Sequence, residues 1–396
     1  MYKKKSIKDM DVSGKRVFVR VDFNVPLNSK GQVTNDNKIT QTLPTINYLL
    51  EQNAKIILCS HLGRPDGKVV AEYSLKPVAE RLRKILKRPI LMSADVIGTE
   101  THKLVKGMQP GDIVLMENVR FEAGEEENDP VFARKLSSIA DIYCSDAFGT
   151  VHRAHASTAG IAKYLPSCAG LLISRELEIL GSLLTTPKRP FVVVLGGAKV
   201  KDKIGMISNL INMADVILLG GAMAYTFVKA KGFAVGKSMI EPDKIELARL
   251  LLEKADNAGV KILLPVDNVV AQEFSFAADS RIVRTGAIAP SEMGLDIGPK
   301  TAELYAKQIQ KAKTVLWNGP MGVFEFQKFA SGTNSIAFSM AKCKGVTVVA
   351  GGDSSAAISN NKLDNEITHI STGGGATLQL LEGDKLPGID VLADNI

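Results

Sequence analysis

Cysteine is scarce in this 396-residue sequence: Cys59, Cys144, Cys168 and Cys343 are the four, and no two form a CxxC pair. No histidine stands at a zinc-ligand spacing from them, so neither a disulfide framework nor a structural zinc site is indicated. Cys59 and Cys144 fall inside apolar runs, where a free thiol behaves as a small hydrophobe, and a reducing compartment is the default. Aromatic residues make up 6% of the chain, with a single tryptophan. They are not interleaved with basic residues, which argues against a nucleic-acid surface. No apolar run is long enough to span a bilayer. The basic start Met1-Tyr2-Lys3-Lys4-Lys5 leads into Ser6-Ile7-Lys8-Asp9 without an apolar signal core. A cytoplasmic protein with no membrane contact is expected. GxGxxG, HExxH and GxSxG are absent, and His152-Arg153-Ala154 lacks the aspartate of a protein-kinase HRD. Gly232-Phe233-Ala234-Val235-Gly236-Lys237-Ser238 comes near a P-loop but has three residues between glycines where four are needed.

What is present is an ordinary globular composition, 45% apolar and 23% charged, in a chain too long for one comfortable core. Two domains are expected. Lys plus Arg exceeds Asp plus Glu by 7, and the excess is not gathered into a tail. That fits a small acidic substrate better than DNA or RNA. The dense acidic stretch Glu122–Asp129 reads as a solvated surface loop.

One pattern recurs: a short β-branched run, a polar or glycine-rich turn, then an amphipathic helix. The strand-like runs are Arg16–Phe23, Lys55–Ser60, Ile113–Asn118 and Ile142–Asp146, then Phe191–Leu195, Val216–Leu219, Lys261–Val266, Thr314–Trp317 and Val346–Ala350. They lack apolar/polar alternation, as parallel strands buried on both faces do. Helices are expected at Leu43–Gln52, Leu75–Leu86 and Asp243–Ala258. The fold class is therefore α/β, with two doubly wound parallel-sheet domains. A helix over Ser174–Leu184, capped by Ser174 and carrying Glu176 and Glu178 in its first turn, would join them as a hinge. The expected domains are residues 1–173, residues 174–385 including that helix, and a C-terminal segment 386–396 returning to the first.

Ligands of open α/β sheets bind beyond the carboxyl ends of the strands. In the first half those ends carry Asp22, Asn24, His61, Arg64, Arg120, Asp146 and His152-Arg153-Ala154-His155. A lone arginine there would be read as a structural ion pair; several cationic and imidazole groups on one edge point to a small anion, since guanidinium forks match phosphate and carboxylate oxygens. In the second half the ends carry Gly196-Gly197-Ala198-Lys199, Gly220-Gly221-Ala222, Asn318-Gly319-Pro320, Gly351-Gly352-Asp353-Ser354 and Gly373-Gly374-Gly375. One such turn would mean only a tight bend; several suggest a nucleotide phosphate cradle. Lys199 and Lys203, four apart, are expected on one face of a helix opening after Gly197. Asp353 is placed to hold magnesium on phosphates.

These motifs, in order, are Arg20-Val-Asp-Phe-Asn-Val-Pro26, Ser60-His-Leu-Gly-Arg-Pro65, Glu117-Asn-Val-Arg-Phe121, Asp146-Ala-Phe-Gly-Thr150 and His152-Arg-Ala-His-Ala-Ser157. Gly196-Gly-Ala-Lys199, Trp317-Asn-Gly-Pro-Met-Gly-Val-Phe-Glu325, Gly352-Asp-Ser354 and Ser371-Thr-Gly-Gly-Gly-Ala376 follow. Along essentially its whole length the chain resembles phosphoglycerate kinase. The resemblance implies reversible phosphoryl transfer between 1,3-bisphosphoglycerate and ADP, giving 3-phosphoglycerate and ATP in glycolysis, with Mg2+ and by hinge closure of a monomer. It implies an acid-binding first domain using Asp22, Phe23, Asn24, His61, Leu62, Gly63, Arg64, Arg120, His152 and Arg153. It implies a nucleotide-binding second domain using Gly197, Ala198, Lys203, Gly220, Gly294, Leu295, Asn318, Pro320, Val323, Glu325, Gly351, Gly352, Asp353 and Ser354, with Asp353 on the metal. Lys38, Lys199, Gly373 and Gly374 would be catalytic. The second crossing between domains would fall near Leu386.

The chain departs from the family pattern at Lys38, where the family has an arginine. An ammonium supplies charge without the planar fork. Two readings follow, a working enzyme with a lysine in this role or an impaired variant that binds both ligands. Ala350 and Gln379 are smaller departures that remove no group the chemistry needs. A different small-acid phosphotransferase is a further rival, which a substrate panel would separate; a nucleic-acid binder would show steeply salt-dependent binding.

Overall fold

The computed structural model describes residues 2–395. The chain divides into two compact units, one formed by Met1–Gly181 with Lys385–Ile396 and the other by Ser182–Asp384.

The first unit holds strands β1 (Arg16–Val21), β2 (Lys55–Cys59), β3 (Leu91–Met92), β4 (Ile113–Leu115), β5 (Ile142–Asp146) and β6 (Ser167–Ala169). They form one parallel sheet in the order β3-β4-β2-β1-β5-β6. In the second unit β7 (Phe191–Leu195), β8 (Val216–Leu219), β9 (Lys261–Leu263), β13 (Thr314–Asn318), β14 (Val346–Ala350) and β15 (His369–Ile370) pair in parallel in the order β15-β14-β13-β7-β8-β9. Every residue of β5, β7 and β13 is buried, which explains why these runs lack the apolar/polar alternation of a half-exposed strand. Each chain segment leaves the first strand of its sheet in one direction and later returns to its other side. The resulting switch points lie between β1 and β5 and between β7 and β13, where open sheets of this class hold ligands.

Several expectations are corrected. The run Ile113–Asn118 yields only Ile113–Leu115, because the Glu117 carboxylate takes the Asn118 and Leu75 amides and turns the chain. Lys261–Val266 stops at Leu263, just before Pro265, which has no N–H for a ladder. A three-stranded antiparallel sheet, β10 (Asp267–Ala271), β11 (Ser280–Arg284) and β12 (Met293–Ile297) in the order β11-β10-β12, is not expected from the pattern. Its outer strand β11 is largely exposed and polar. The first helix runs Asn37–Glu51 rather than from Leu43 and carries Pro44 in its interior, so Lys38 sits in its first turn. The acidic stretch is not wholly solvated, since Glu125 is fully buried and bonds the Ser157 hydroxyl and amide.

The proposed hinge helix spans Leu171–Thr185, and Ser174 lies inside it rather than capping it. The caps come from elsewhere: Asp146 Oδ1 accepts from the Leu172 amide at 3.0 Å and the Ile173 amide at 3.3 Å, and Thr45 Oγ1 accepts from Leu171 at 2.9 Å. Glu176 is fully buried instead of lying on an exposed first turn. Burial pushes the Asp146 carboxyl up to about 7, and the hydrogen bonds from Thr45, Ile173 and Leu172 offset this only in part. An unfolded aspartate titrates near ~4. The folded group therefore keeps its proton where the unfolded one has lost it, and the stability this provides is full below about pH 4 and is lost as pH rises through about 7. Asp146→Asn keeps the Oδ1 acceptor and removes that titration. Relative to the parent, its stability should gain about 1–3 kcal/mol between pH 5 and pH 8. Thermal melts across that range check this; parallel pH profiles would refute it. Among the described residues no helix is long and apolar enough to cross a membrane.

Candidate active site

Beyond β1 the backbone turns sharply: Asn24 N–H bonds Asp22 Oδ1 at 3.2 Å and Phe23 N–H bonds the Ser60 hydroxyl at 2.8 Å. Around this turn lies a cavity of about 260 Å3, lined by Asp22, Asn24, Lys38, His61, Gly63, Arg64, Arg120, Gly149, Thr150, Arg153 and His155. It sits at the switch point of the first sheet. Of the residues expected there, Phe23 and Leu62 are instead buried in the hydrophobic core, and His152 does not line the cavity. His155, at the same strand end as Arg153, does line it, and so do Gly149 and Thr150, which carry no charge or imidazole to mark them in the sequence.

The charge of this cavity comes from guanidinium and ammonium groups. Burial drives His61 well below the ordinary histidine range; Asp22 pulls it back up, while Arg20, Arg120 and Lys38 add to the depression. Burial also brings His155 down to about 4, reinforced by Arg120, Arg20 and Arg153. His152 is lowered by burial and then by Arg153. At neutral pH these imidazoles are therefore neutral hydrogen-bonding groups. Arg120 is buried, donates from Nη1 to Gly63 O at 2.8 Å and pairs through Nε with Glu126 Oε1 at 3.0 Å. Lys38 Nζ lies 2.9 Å from Asp22 Oδ2. Burial opposes the Asp22 carboxylate, yet the positive charge around it, from Lys38 at hydrogen-bond distance and from Arg20, holds its pKa below the usual value. Beneath the cavity Arg20, 1% exposed, donates from Nε to Ser157 Oγ at 2.7 Å, and Ser157 in turn donates to Glu125 at 2.5 Å.

The second unit carries a cavity of about 300 Å3 at its own switch point. Gly197, Ala198, Gly294, Leu295, Pro320, Val323, Glu325 and Asp353 line it, as do Gly221, Ala222, Tyr225, Met239, Phe274, Asp296, Met321 and Gly322. Of these, Tyr225, Met239, Phe274 and Asp296 carry no signal in the strand-end reading, because they arrive from a helix, a loop and the antiparallel sheet. Gly221 has φ +66°, and a Cβ there would come within 2.5 Å of Gly197 O, so the two turns can approach only as glycines. Gly294 is similarly confined by the Tyr225 hydroxyl. The apolar side is made by Tyr225, Met239, Phe274, Leu295 and Val323, with Phe274 packed at 5.2 Å against the Phe326 ring.

Lys203, Gly220, Asn318, Gly351, Gly352 and Ser354 do not line that cavity; Asn318 ends β13, Gly220 and Gly351 follow β8 and β14, and Lys203, Gly352 and Ser354 lie at helix starts. Lys203 Nζ donates to Asn318 Oδ1, Asn318 Nδ2 donates to Ala350 O at 2.9 Å, and the Gly319 amide donates to Ser354 Oγ at 2.6 Å. Burial lowers Lys203 to about 8, with Asp202, Asp353 and Glu382 opposing it. The expected helix through Lys199 and Lys203 is a loop: the helix starts at Ile204, with Lys203 as its N-cap. The Glu241 carboxylate takes the Val200 and Lys201 amides, which diverts that backbone from helical bonding. Lys199 is exposed on this loop, and Gly374, at φ +48°, precedes the helix Gly375–Glu382; neither these two nor Gly373 lines either cavity.

Asp353 is an exposed carboxylate in the first turn of the helix Gly352–Asn360. Among the described residues no three His, Cys, Asp or Glu side chains gather to cage a metal. A single hard oxygen donor beside a phosphate cradle suits magnesium, which usually takes one or two carboxylates together with substrate phosphates and water.

The family model for phosphoglycerate kinase matches residues 7–384. A phosphoglycerate kinase of Clostridium botulinum is 51% identical over 396 residues, covering 99% of each chain. One from Koribacter versatilis is 53% identical over 400 residues, again covering 99% of each. Among solved structures, phosphoglycerate kinase from Coxiella burnetii aligns over 98% of each chain with 41% identity and a TM-score of 0.90. The Pyrococcus horikoshii enzyme aligns over 98% of each with 32% identity and a TM-score of 0.84. With this agreement in sequence over its full length and in both sheets, the chain belongs to the phosphoglycerate kinase family.

Proposed function

We propose that the protein catalyses reversible phosphoryl transfer between 1,3-bisphosphoglycerate and ADP, giving 3-phosphoglycerate and ATP, as a cytoplasmic monomer. The observation that carries this is the contrast between the two cavities: one rich in guanidinium and imidazole groups, the other built of glycine turns, an apolar face and a carboxylate. Arg64, Arg120 and Arg153 bind the phosphate and carboxylate oxygens of the acid as forks. Asn24 and the neutral His61 complete its hydrogen bonds, and Lys38 supplies charge beside the reacting end. The nucleotide base occupies the apolar side of the second cavity, Glu325 meets the ribose, and the turns at Gly197 and Gly221 receive phosphate. Asp353 would hold magnesium, which would supply positive charge to the phosphate oxygens. Lys199 and the helix start after Gly374 stabilise charge on the transferring group, the main demand of this chemistry.

The acid cavity belongs to one unit and the nucleotide cavity to the other, so transfer requires the units to bring their ligands into line and exclude water. The bend falls in the helix Leu171–Thr185 and at the return near Leu386, with the unit boundaries at Gly181/Ser182 and Asp384/Lys385. Lys38 lies on the acid cavity with its ammonium on Asp22, which favours a working site over a binding-only one.

The test is ATP- and magnesium-dependent phosphorylation of 3-phosphoglycerate against a panel of other small acids. Saturable turnover with 3-phosphoglycerate preferred is expected; a folded, nucleotide-binding protein that prefers another acid would overturn the reading. In the same assay Asp353→Asn should lower kcat by about 10²-fold and raise the magnesium needed for half-maximal rate. An unchanged magnesium dependence would remove Asp353 from the metal site.

A further inference from the structure

We infer that Asn118 is a positioning residue of the acid cavity, holding the His61–Arg64 run and Arg120 in one register. The inference rests on the phosphoglycerate reading of that cavity. Asn118 is 0% exposed and does not line the cavity, so it acts through its neighbours.

Both of its side-chain polar atoms are engaged. Nδ2 donates to Leu62 O at 2.7 Å and to Tyr73 O at 2.9 Å, and Oδ1 accepts from the Arg120 amide at 3.1 Å. A carboxamide has two N–H donors, and both go to the loop that carries Gly63 and Arg64. Its own amide donates to Glu117 Oε1 at 2.8 Å. Glu117 also accepts from the Leu75 amide and the Ser74 hydroxyl, each at 2.8 Å. The Glu117-Asn118 pair thus fastens both ends of the Leu62–Leu75 loop, while Asn118 Oδ1 orients the backbone of Arg120.

The seat between these ends has no slack. Gly63 N–H bonds Asn24 Oδ1 at 3.0 Å, and its carbonyl receives Arg120 Nη1 at 2.8 Å. Gly63 has φ +61°, and the Tyr73 ring occupies the place a Cβ would need. Asn24 and Arg120 therefore hold the two peptide groups that flank the Gly63 Cα, and the adjoining Leu62 and Tyr73 carbonyls hang on Asn118. A guanidinium fork tolerates little displacement, and a shift of about 1 Å can cost about 10²-fold in rate. The carboxamide is suited to the task because it donates twice and accepts once within one rigid plane.

The test uses Asn118→Asp and Asn118→Ala in the full chain, with Ile46→Ala as a control. Asp keeps the size and the acceptor toward Arg120 but turns a carboxylate oxygen on two carbonyl oxygens; Ala removes all three bonds. Ile46 is fully buried in the same core and does not line the acid cavity. For both Asn118 variants the KM for 3-phosphoglycerate should rise by about ten- to a hundredfold, with the KM for ATP within about twofold and kcat falling less than kcat/KM. Ile46→Ala should lower Tm with both KM values unchanged. A folded Asn118 variant whose KM for 3-phosphoglycerate stays within about twofold of the parent would overturn the inference. So would an equal rise in both KM values, or failure of both variants to fold, since the residue would then serve the fold alone. A parent that does not phosphorylate 3-phosphoglycerate removes the reading of the cavity itself, and this assignment with it.

Discussion

Replacing Lys199 by alanine is expected to lower kcat by about 10²–10³-fold while leaving Tm within about 1 °C of the parent. The physical basis is the setting of its loop. Gly197, at φ +110°, opens it, and the Glu241 carboxylate anchors it through the Val200 and Lys201 amides. Between these fixed points Lys199 is exposed and contributes no packing. A surface lysine of this kind changes stability by no more than about 0.5 kcal/mol when removed. In the proposed reaction its ammonium would meet the charge that develops on the transferring phosphoryl group, so the loss is expected in kcat more than in KM. Steady-state kinetics beside a thermal melt decide the matter. An unchanged kcat would take Lys199 out of the chemistry, and a large fall in Tm would make it a structural residue.

The second large effect is expected at Lys38. Lys38→Ala should reduce kcat/KM for 3-phosphoglycerate by about 10²–10³-fold, and Lys38→Arg should stay within about tenfold of the parent. Lys38 sits in the first turn of the helix Asn37–Glu51, where the helix dipole disfavours a cation, yet its ammonium is held 2.9 Å from Asp22. Removing it takes a positive charge from the acid cavity and leaves Asp22 facing an anionic ligand without that partner. Arginine keeps the positive charge beside Asp22 and adds the fork. Parallel rate measurements on the three proteins decide between the readings. If the parent were nearly inactive and Lys38→Arg raised its rate more than a hundredfold, the lysine would be an impairing substitution.

The sequence alone determined the two parallel sheets, because runs such as Phe191–Leu195 and Val216–Leu219 are apolar at every position, without the alternation of a half-exposed strand, and a helix-covered parallel sheet buries both faces. It also determined most of the ligand edge. Asp22, His61, Arg64, Arg120 and Arg153, and in the other unit Gly197, Pro320 and Asp353, lie in the segments that follow strands at their carboxyl ends, and topology brings those ends together. Tertiary structure decided what depends on contacts between distant segments. The cap of the helix Leu171–Thr185 comes from Asp146 and Thr45 rather than from Ser174, and Glu241 turns the expected Lys199 helix into a loop. Phe23 and Leu62 go to the core although they adjoin ligand residues, since alternate side chains at a strand end point to opposite sides. The apolar face of Tyr225, Met239 and Phe274 is assembled from a helix and two loops, one of them joining β10 to β11, and none of these segments carries a strand-end signal. Local patterns report which face of an element is buried; they carry no record of which remote backbone amides a carboxylate such as Asp146, Glu117 or Glu241 will find.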